Sequence, residues 1–562
     1  MKYSRQSRAK SAPGQAPVPG EDGSEILPDP SARLPAGGGR LIQAWFLARA
    51  AETPDAVAIT HEGVNWSYAQ VERRSRALAH RLRRAGVTTG DRVAILAERG
   101  PELVWAILAV ARLGGVFVVL DSAYPEGRLA TLLEICAPKA LLLAGGLSQI
   151  AIADRLAQPH GLPVAQAGPG SEGPPGEADN LDQASAQAPA YFLFTSGSTG
   201  HPKCVACSHI PLSRFVAWHA DTFGLGRKDR FTMLSGLSHD PLLRDIFTPL
   251  SLGATLAIPR QSTITEPGAL RPWLRQVGAT VAHLTPAMGH LLAAGGARGP
   301  KLPELRHLFW GGDQLSPKLL DEVSQFAPGA AHTNFYGSSE TPQAAGFHRH
   351  ERVGDWPSVP VGRGSDGFQL LVVDEAKQPV GVGEPGEIAI RSNYLSLGYV
   401  EQGRLTPPDD RGIDAHGDRN IYYTGDRGVR LPDGNVLMVG RADDQIKIRG
   451  YRVDLSEITT ALLALPGVRS AIALAIGEGP QKRIDAFIAT AQPSPQLEAN
   501  MAKTLAASLP GYMVPSRIWL FKDHLPLLPN GKVNRQALRA HAETEAAGPA
   551  ASDIEGEGLS TA

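Results

Sequence analysis

"RVAILAERGPELVWAILAVARLGGVFVVL", residues 92–120, reads as strand, helix, strand. The first and last segments are short apolar runs, and a helix opens between them at Pro101. Residues 104–120 form the longest apolar stretch of the chain. They contain Arg112 and Gly114-Gly115, so they read as a buried helix followed by a strand and not as a membrane span. The same alternation extends to both sides. "RLIQAWFLARAAET" has helical spacing, "AVAIT" reads as a strand, and "YAQVERRSRALAHRLRRAG" is an amphipathic helix closed by a glycine. Repeated strand–helix alternation implies parallel sheets with helices on both faces.

The chain has 562 residues, too many for one core, so two or more domains are expected. Residues 1–39 are rich in Pro, Gly, Ser and charge, with no apolar secretory segment, and read as a disordered tail. The α/β core spans 40–442 and is interrupted at 168–189 by "GPGSEGPPGEADNLDQASAQAP", read as a flexible loop. Between 362 and 439 short strands alternate with Gly, Pro and Asp-Gly turns, which suggests a small β-barrel appended to the core. A compact α+β unit follows within 443–541, and 542–562 reads as a disordered tail. Apolar residues make up 43%, charged residues 20%, and the net charge is −1, a balance that argues against a nucleic-acid partner. Three cysteines are too few for a disulfide framework and fit a reducing cytoplasm. Cys204 and Cys207 form a C-x-x-C without a second ligand pair and read as small buried strand residues.

"YFLFTSGSTGHPKCV", residues 191–205, is a strand that runs into glycines and small hydroxyls. Backbone N–H groups of such a turn point inward and suit an anion. It is not a Walker loop, because Lys203 lies three residues past Gly200. Four more motifs follow in order: "NFYGSSET" (334–341), "YYTGDRG" (422–428), "GRADDQIKIRGYRVD" (440–454) and "LPNGKVNR" (528–535).

Together these motifs resemble the adenylate-forming superfamily of acyl-CoA ligases, luciferases and nonribosomal peptide synthetase adenylation domains, over residues 41–538. The resemblance implies a large N-terminal domain of two doubly wound sheets plus a small barrel, and a small mobile α+β C-terminal domain. It implies ATP and Mg²⁺: a carboxylate attacks the α-phosphate, pyrophosphate leaves, and a thiol takes the acyl group. By that resemblance Thr195, Ser196, Gly197, Ser198, Thr199, Gly200 and Lys203 hold the β- and γ-phosphates. Cys204 departs from the glycine usual there. Glu340 carries Mg²⁺. Tyr336 packs on adenine, Gly311 and Gly312 let the base approach, and Asn334, Phe335, Gly337, Ser339 and Thr341 belong to the same nucleotide motif. Asp426 accepts the ribose hydroxyls, Arg441 contacts ribose or phosphate, Asp443 is the hinge, and Lys532 is the catalytic lysine.

The acyl pocket implied by the resemblance is Asp240, Pro241, Arg244, His283, Phe309, Gly311, Phe335, Gln343, Ala344 and Lys532, with His239 as the gate towards the thiol. This set looks like the adenylation domain of fungal α-aminoadipate reductases, except that Gly311, Phe335 and Gln343 replace Val, Met and Arg. Asp240 would pair with an ammonium. Arg244 either forks onto a second carboxylate or pairs with Asp245 or Asp240. The implied function is a freestanding adenylation enzyme for an amino acid or amino dicarboxylic acid, which passes the acyl group to the phosphopantetheine of a separate carrier protein or to coenzyme A. The alternative is an acyl- or aryl-CoA ligase, with Phe309, Phe335 and Gly311 forming a flat slot for an aminobenzoate-like acid. No membrane partner is expected.

Overall fold

A computed structural model describes residues 27–35, 38–146, 149–167, 184–195, 202–266, 268–293, 299–350, 356, 358–441, 445–522, 524–526 and 533–546. The strands Arg92–Ala97 and Val116–Asp121 are parallel neighbours with Val93 opposite Phe117, as a crossover through the helix Pro101–Arg112 requires. They lie at the centre of an eight-stranded sheet. Ala140–Ala144 and Val164–Gln166 extend it on one side, and Pro189–Thr195 and the antiparallel Lys203–Ser208 on the other. A second, nine-stranded sheet has parallel strands from Ala331–Tyr336 through His307–Trp310, Val281–Leu284, Arg230–Thr232 and Thr255–Ile258 to Val57–His61.

The helix Pro101–Arg112 is buried at every residue except Glu102. Its apolar side chains share one core with Ile95 of the first sheet and Ile59 and Val281 of the second, so the helix lies between the two sheets. Its buried Arg112 is compensated by Glu72, with Nη2 donating at 3.0 Å to Oε1. The amphipathic helix forms at Tyr68–Arg84. Ser67 and Gln70 cap it reciprocally, and Gly86 just beyond it has φ +88°. Cys204 and Cys207 are buried on the strand Lys203–Ser208, as their spacing without further ligands suggests.

The segment expected as a barrel is a four-stranded antiparallel sheet of Phe368–Val373, Pro385–Ser392, Ile421–Arg430 and Val436–Arg441. The strands Gly398–Glu401 and Arg404–Thr406 leave it and complete the eight-stranded sheet beside Lys203–Ser208. The C-terminal unit combines the hairpin Gln445–Ile448/Tyr451–Asp454 with a three-stranded sheet and the helices Leu455–Leu463, Pro495–Ser508 and Arg535–Ala546. That last helix runs past residue 541, where a tail was expected. Among the described residues, no helix is long and apolar enough to cross a membrane.

The expectation of a disordered tail through residue 39 needs correction. Residues 27–35 run along the four-stranded sheet and are held there by hydrogen bonds. Arg391 Nη1 donates to the Ala32 carbonyl at 2.8 Å, the Tyr394 hydroxyl donates to Pro35 at 3.0 Å, and the His416 ring bonds the Ser31 carbonyl at 2.9 Å. The composition suggested disorder because proline and polar residues outnumber the apolar ones, Leu27, Ala32 and Leu34, none of which is fully buried. Polar partners from elsewhere in the chain hold it instead. Arg391 also donates from Nη2 (2.6 Å) and Nε (3.1 Å) to Asp414, and both side chains are inaccessible to solvent. Arg391→Ala is expected to destabilise the fold by about 3–5 kcal/mol, because it strands a buried carboxylate. Denaturant unfolding measures this, and a loss below about 1 kcal/mol would contradict it.

Candidate active site

One pocket lies where the two large sheets, the four-stranded sheet and the C-terminal unit meet. It is lined by Thr195, His239, Asp240, Pro241, Arg244, Gly311, Gly312, Phe335, Tyr336, Gly337, Ser339, Gln343, Asp426 and Arg441, all anticipated from sequence. Lys203, Asn334, Glu340, Thr341, His283, Phe309 and Ala344 are not part of this lining. Ser196, Gly197, Ser198, Thr199, Gly200, Asp443 and Lys532 lie outside the described residues.

At one end, Tyr336 closes the strand Ala331–Tyr336, and its hydroxyl donates to Asp426 Oδ2 at 2.6 Å. Asp426 faces Arg441 across adjacent strands and forms an ion pair with it. Arg441 also donates to the Thr424 carbonyl (3.2 Å) and to Gln445 Oε1 (2.8 Å). Gly312 has φ +89°, and a Cβ there would stand 3.1 Å from the Gly450 carbonyl, so glycine lets the C-terminal hairpin approach. Asn334 was expected to face a nucleotide. Its amide NH₂ donates to the carbonyls of Pro360 (2.9 Å) and Val359 (3.4 Å), and the residue lines a smaller cavity beside Gly312 and Tyr336.

The loop after Tyr336 is closed by Thr341, whose hydroxyl accepts from the Ser338 N–H at 2.9 Å. This turn buries Glu340. Arg452 Nη1 of the C-terminal hairpin donates to Glu340 Oε2 at 2.9 Å. Burial opposes ionisation of Glu340 more than any single neighbour favours it, but the Arg452 guanidinium, hydrogen bonds from the backbone and Ser338, and Lys203 together outweigh it and hold the carboxyl below its usual range. Lys203 pairs in register with Thr195 and sets its ammonium 5.4 Å from the Tyr399 ring centroid.

At the other end, Asp240 precedes the helix Pro241–Leu252 and is buried. Gln343 satisfies both its oxygens: the backbone N–H donates to Oδ2 at 2.6 Å and the side-chain amide to Oδ1 at 2.7 Å. Gln343 holds a left-handed backbone, φ +74°, to do so. Burial pushes the Asp240 carboxyl up to about 6. Arg244, one turn on, sits 5.5 Å from the ring centroids of both Phe215 and Phe335. It forms no ion pair with Asp240 or Asp245. Among the described residues its hydrogen bond goes to the Gln343 carbonyl at 3.4 Å, and its Nε has no partner. Asp245 is occupied by the N–H groups of Leu234 (3.0 Å) and Ser235 (2.9 Å) and by His283 Nδ1 (2.7 Å). Of the two readings of Arg244, the structure therefore leaves the guanidinium available to a ligand. Phe309 stacks on Phe335 with centroids 5.0 Å apart at 11°. A ring inserted between them needs about 7 Å, twice the usual carbon contact distance, so the flat slot is closed.

The mouth is aromatic. His239 meets Tyr451 edge-on at 4.6 Å, Tyr451 stacks on Tyr512 at 4.1 Å, and Tyr124 packs on Tyr512 at 6.4 Å. Burial pushes His239 down to about 4, so the ring is neutral. Tyr124, Lys447, Gly450, Tyr451, Arg452 and Tyr512 were not singled out from sequence. Four of these six fall within the motif 440–454, which was the available signal.

Two large sheets beside a small C-terminal unit, with a pocket at the seam that carries Asp240, Asp426 and five basic side chains, fit a nucleotide-dependent ligase of the adenylate-forming class. The family description "AMP-binding enzyme" matches residues 46–400, and the chain belongs to that family. It is similar to the L-2-aminoadipate reductase large subunit of Eremothecium gossypii, 33% identical over 93% of this chain and 44% of that protein. It is also similar to a linear gramicidin synthase of Brevibacillus parabrevis, 32% identical over 89% of this chain and 6% of that protein. The chain spans less than half the length of these curated relatives. A solved NRPS protein containing adenylation and PCP domains superposes with a TM-score of 0.76 at 25% identity, covering 92% of this chain and 85% of the other. The Vibrio cholerae adenylation domain AlmE shares the fold, with a TM-score of 0.74 at 22% identity over 91% of this chain and all of that one.

Proposed function

We propose that this chain activates an amino acid bearing a second carboxylate, forming acyl-AMP from ATP, and passes the acyl group to the phosphopantetheine thiol of a carrier protein. The observation that carries this reading is the continuity of the pocket: a buried Asp240–Arg244 pair of opposite charges at one end, and the Tyr336–Asp426 pair at the other. The same loop, from Gly337 to Gln343, borders both ends.

In this reading Asp240 takes the substrate ammonium, and Arg244 takes the carboxylate that does not react. Asp426 accepts from the ribose hydroxyls beside the Tyr336 ring. The turn at 195–203 holds the phosphate tail, and Lys532 offsets charge on the α-phosphate as the activated carboxylate attacks. Glu340 fits a magnesium ion, being a buried hard oxygen donor. Among the described residues no cluster of three metal-ligating side chains adjoins it, and this ion commonly takes one or two protein carboxylates and completes its shell with phosphate and water. When bound, the ion supplies positive charge to the phosphate oxygens. The aromatic mouth at His239, Tyr451 and Tyr512 supports a separate approach for the thiol. The closed Phe309–Phe335 stack counts against the aryl-acid alternative.

ATP–pyrophosphate exchange with amino acids, amino dicarboxylic acids, aminobenzoates and fatty acids tests the proposal. Exchange is expected to be strongest with the amino dicarboxylic acids. Exchange with aryl or fatty acids and none with any amino acid would reject it.

A further inference from the structure

His219 belongs to the helix His209–Phe223, which packs on the helix that carries Arg244. The side chain is buried completely, and neither ring nitrogen has a hydrogen-bond partner. A neutral imidazole carries one donor and one acceptor, so leaving both unmet in the interior is costly. The ring lies 4.4 Å from Phe309, 4.9 Å from Phe215, 5.7 Å from Phe335 and 5.4 Å from His283, centroid to centroid. Phenylalanine would fill such a box without cost.

Further buried polar atoms on the neighbouring helix and strand are unmet. Arg244 Nε lacks a partner, and so does the hydroxyl of Thr248, one turn further on the same helix face. His283 is fixed by Asp245 through Nδ1, which leaves its Nε2 as an unpaired acceptor. Native interiors pair nearly all such groups, and three unmet donors on two packed helices outnumber the unmet ring acceptors of His283 and His219, so a further acceptor is missing. The cationic Arg244 among them selects an anion. Its long 3.4 Å bond to the Gln343 carbonyl is a weak restraint on the guanidinium, which lines the pocket.

We propose that His219 is a specificity-determining residue: its ring N–H donates to the unreacting carboxylate of the substrate, alongside Arg244 Nε and the Thr248 hydroxyl. This rests on the amino-acid activation proposed above. Burial and the nearby His283 and Arg244 keep the His219 ring neutral, so it acts as a hydrogen-bond donor and not as a second cation.

The test is ATP–pyrophosphate exchange by the full chain with glutamate and aminoadipate, each beside its side-chain amide, in wild type, His219→Phe and His219→Gln. Wild type is expected to prefer the acids. His219→Phe is expected to raise KM for the acid at least about tenfold, the worth of one hydrogen bond to a charged group, with kcat little changed and the acid-over-amide preference narrowed. His219→Gln, which keeps a donor, is expected to recover most of the preference. The thermal midpoint of His219→Phe should not fall, since it removes two unpaired polar atoms. If His219→Phe keeps the wild-type preference, or loses acid and amide equally, the histidine is only a buried ring and the inference fails. If that variant does not fold, the preference in His219→Gln decides: a loss as large as that of a residue without a donor overturns the assignment. Wild-type exchange with neutral amino acids but not acids overturns this inference and leaves amino-acid activation standing. Exchange with no amino acid overturns both.

Discussion

Asp240→Asn is expected to cut kcat/KM for amino acid substrates by about 10²–10³, because a buried ammonium left without its carboxylate costs roughly 3–5 kcal/mol. The geometry makes the loss specific. Asp240 is buried beside Arg244, and its two oxygens are held by the backbone N–H and side-chain amide of Gln343. An asparagine keeps the shape but presents an NH₂ to one of those donors. The pH dependence follows from the carboxyl, which burial raises to about 6 in the empty protein. An ammonium binds the ionised form, so affinity is level above pH 6 and falls about tenfold per unit below it. The effect on folding has the opposite sense. The folded state holds the Asp240 proton more tightly than the unfolded chain, so this residue's contribution to stability declines as pH rises from below 4 through 6. Exchange assays from pH 5 to 8 on wild type and Asp240→Asn check the binding statement, and denaturant unfolding over the same range checks the folding one. A variant with undiminished amino-acid exchange would remove Asp240 from the site.

The second large effect is expected at Arg452. Its guanidinium reaches from the C-terminal hairpin to Glu340, while Tyr451 beside it covers His239. In this orientation of the C-terminal unit Arg452 supplies the ion pair that compensates a buried carboxylate. Arg452→Met makes that orientation less favourable by about 3–5 kcal/mol, so transfer to the carrier thiol should drop by about 10²–10³. The hinge implied at Asp443 would let the unit turn between a state that brings Lys532 to the pocket for acyl-AMP formation and the present one; if the present one serves transfer, pyrophosphate exchange should change by no more than a few-fold. Separate assays of exchange and of carrier loading read the split. Equal losses in both, or in neither, would show that the ion pair does not set the orientation of the unit.

The large-scale fold was legible because its evidence is local. The strands and the helix within residues 92–120 are almost wholly apolar, as a helix packed between two sheets and its flanking central strands must be, and Pro101 and Gly114-Gly115 mark the turns. The glycine-rich and acidic motifs were legible because close backbone approach and buried carboxylates need particular residue types at fixed spacing. What could not be read was which distant groups meet. His219 sits in "RFVAWHADTF", where nothing distinguishes it from a helix filler, and its setting is made by rings from three different strands. The sequence left Arg244 between a ligand and its acidic neighbours. The choice is made by His283 and two backbone N–H groups, which occupy Asp245 first. That the NH₂ of Asn334 would hold the 359–360 backbone could not be read from its motif either. The segment 27–35 looked structureless because its order comes from Arg391, Tyr394 and His416, more than 350 positions away in sequence.

The strained backbone of Gln343 has a consequence for selectivity. By holding its amide against Asp240, this residue places a resident imitation of the substrate's amine in the empty protein. Any incoming molecule must evict that rival, and an uncharged isostere offers Asp240 no more than it already has. If the substrate is an amine, as proposed, its cation wins the contest, and selection against uncharged isosteres is then a threshold present before any ligand arrives.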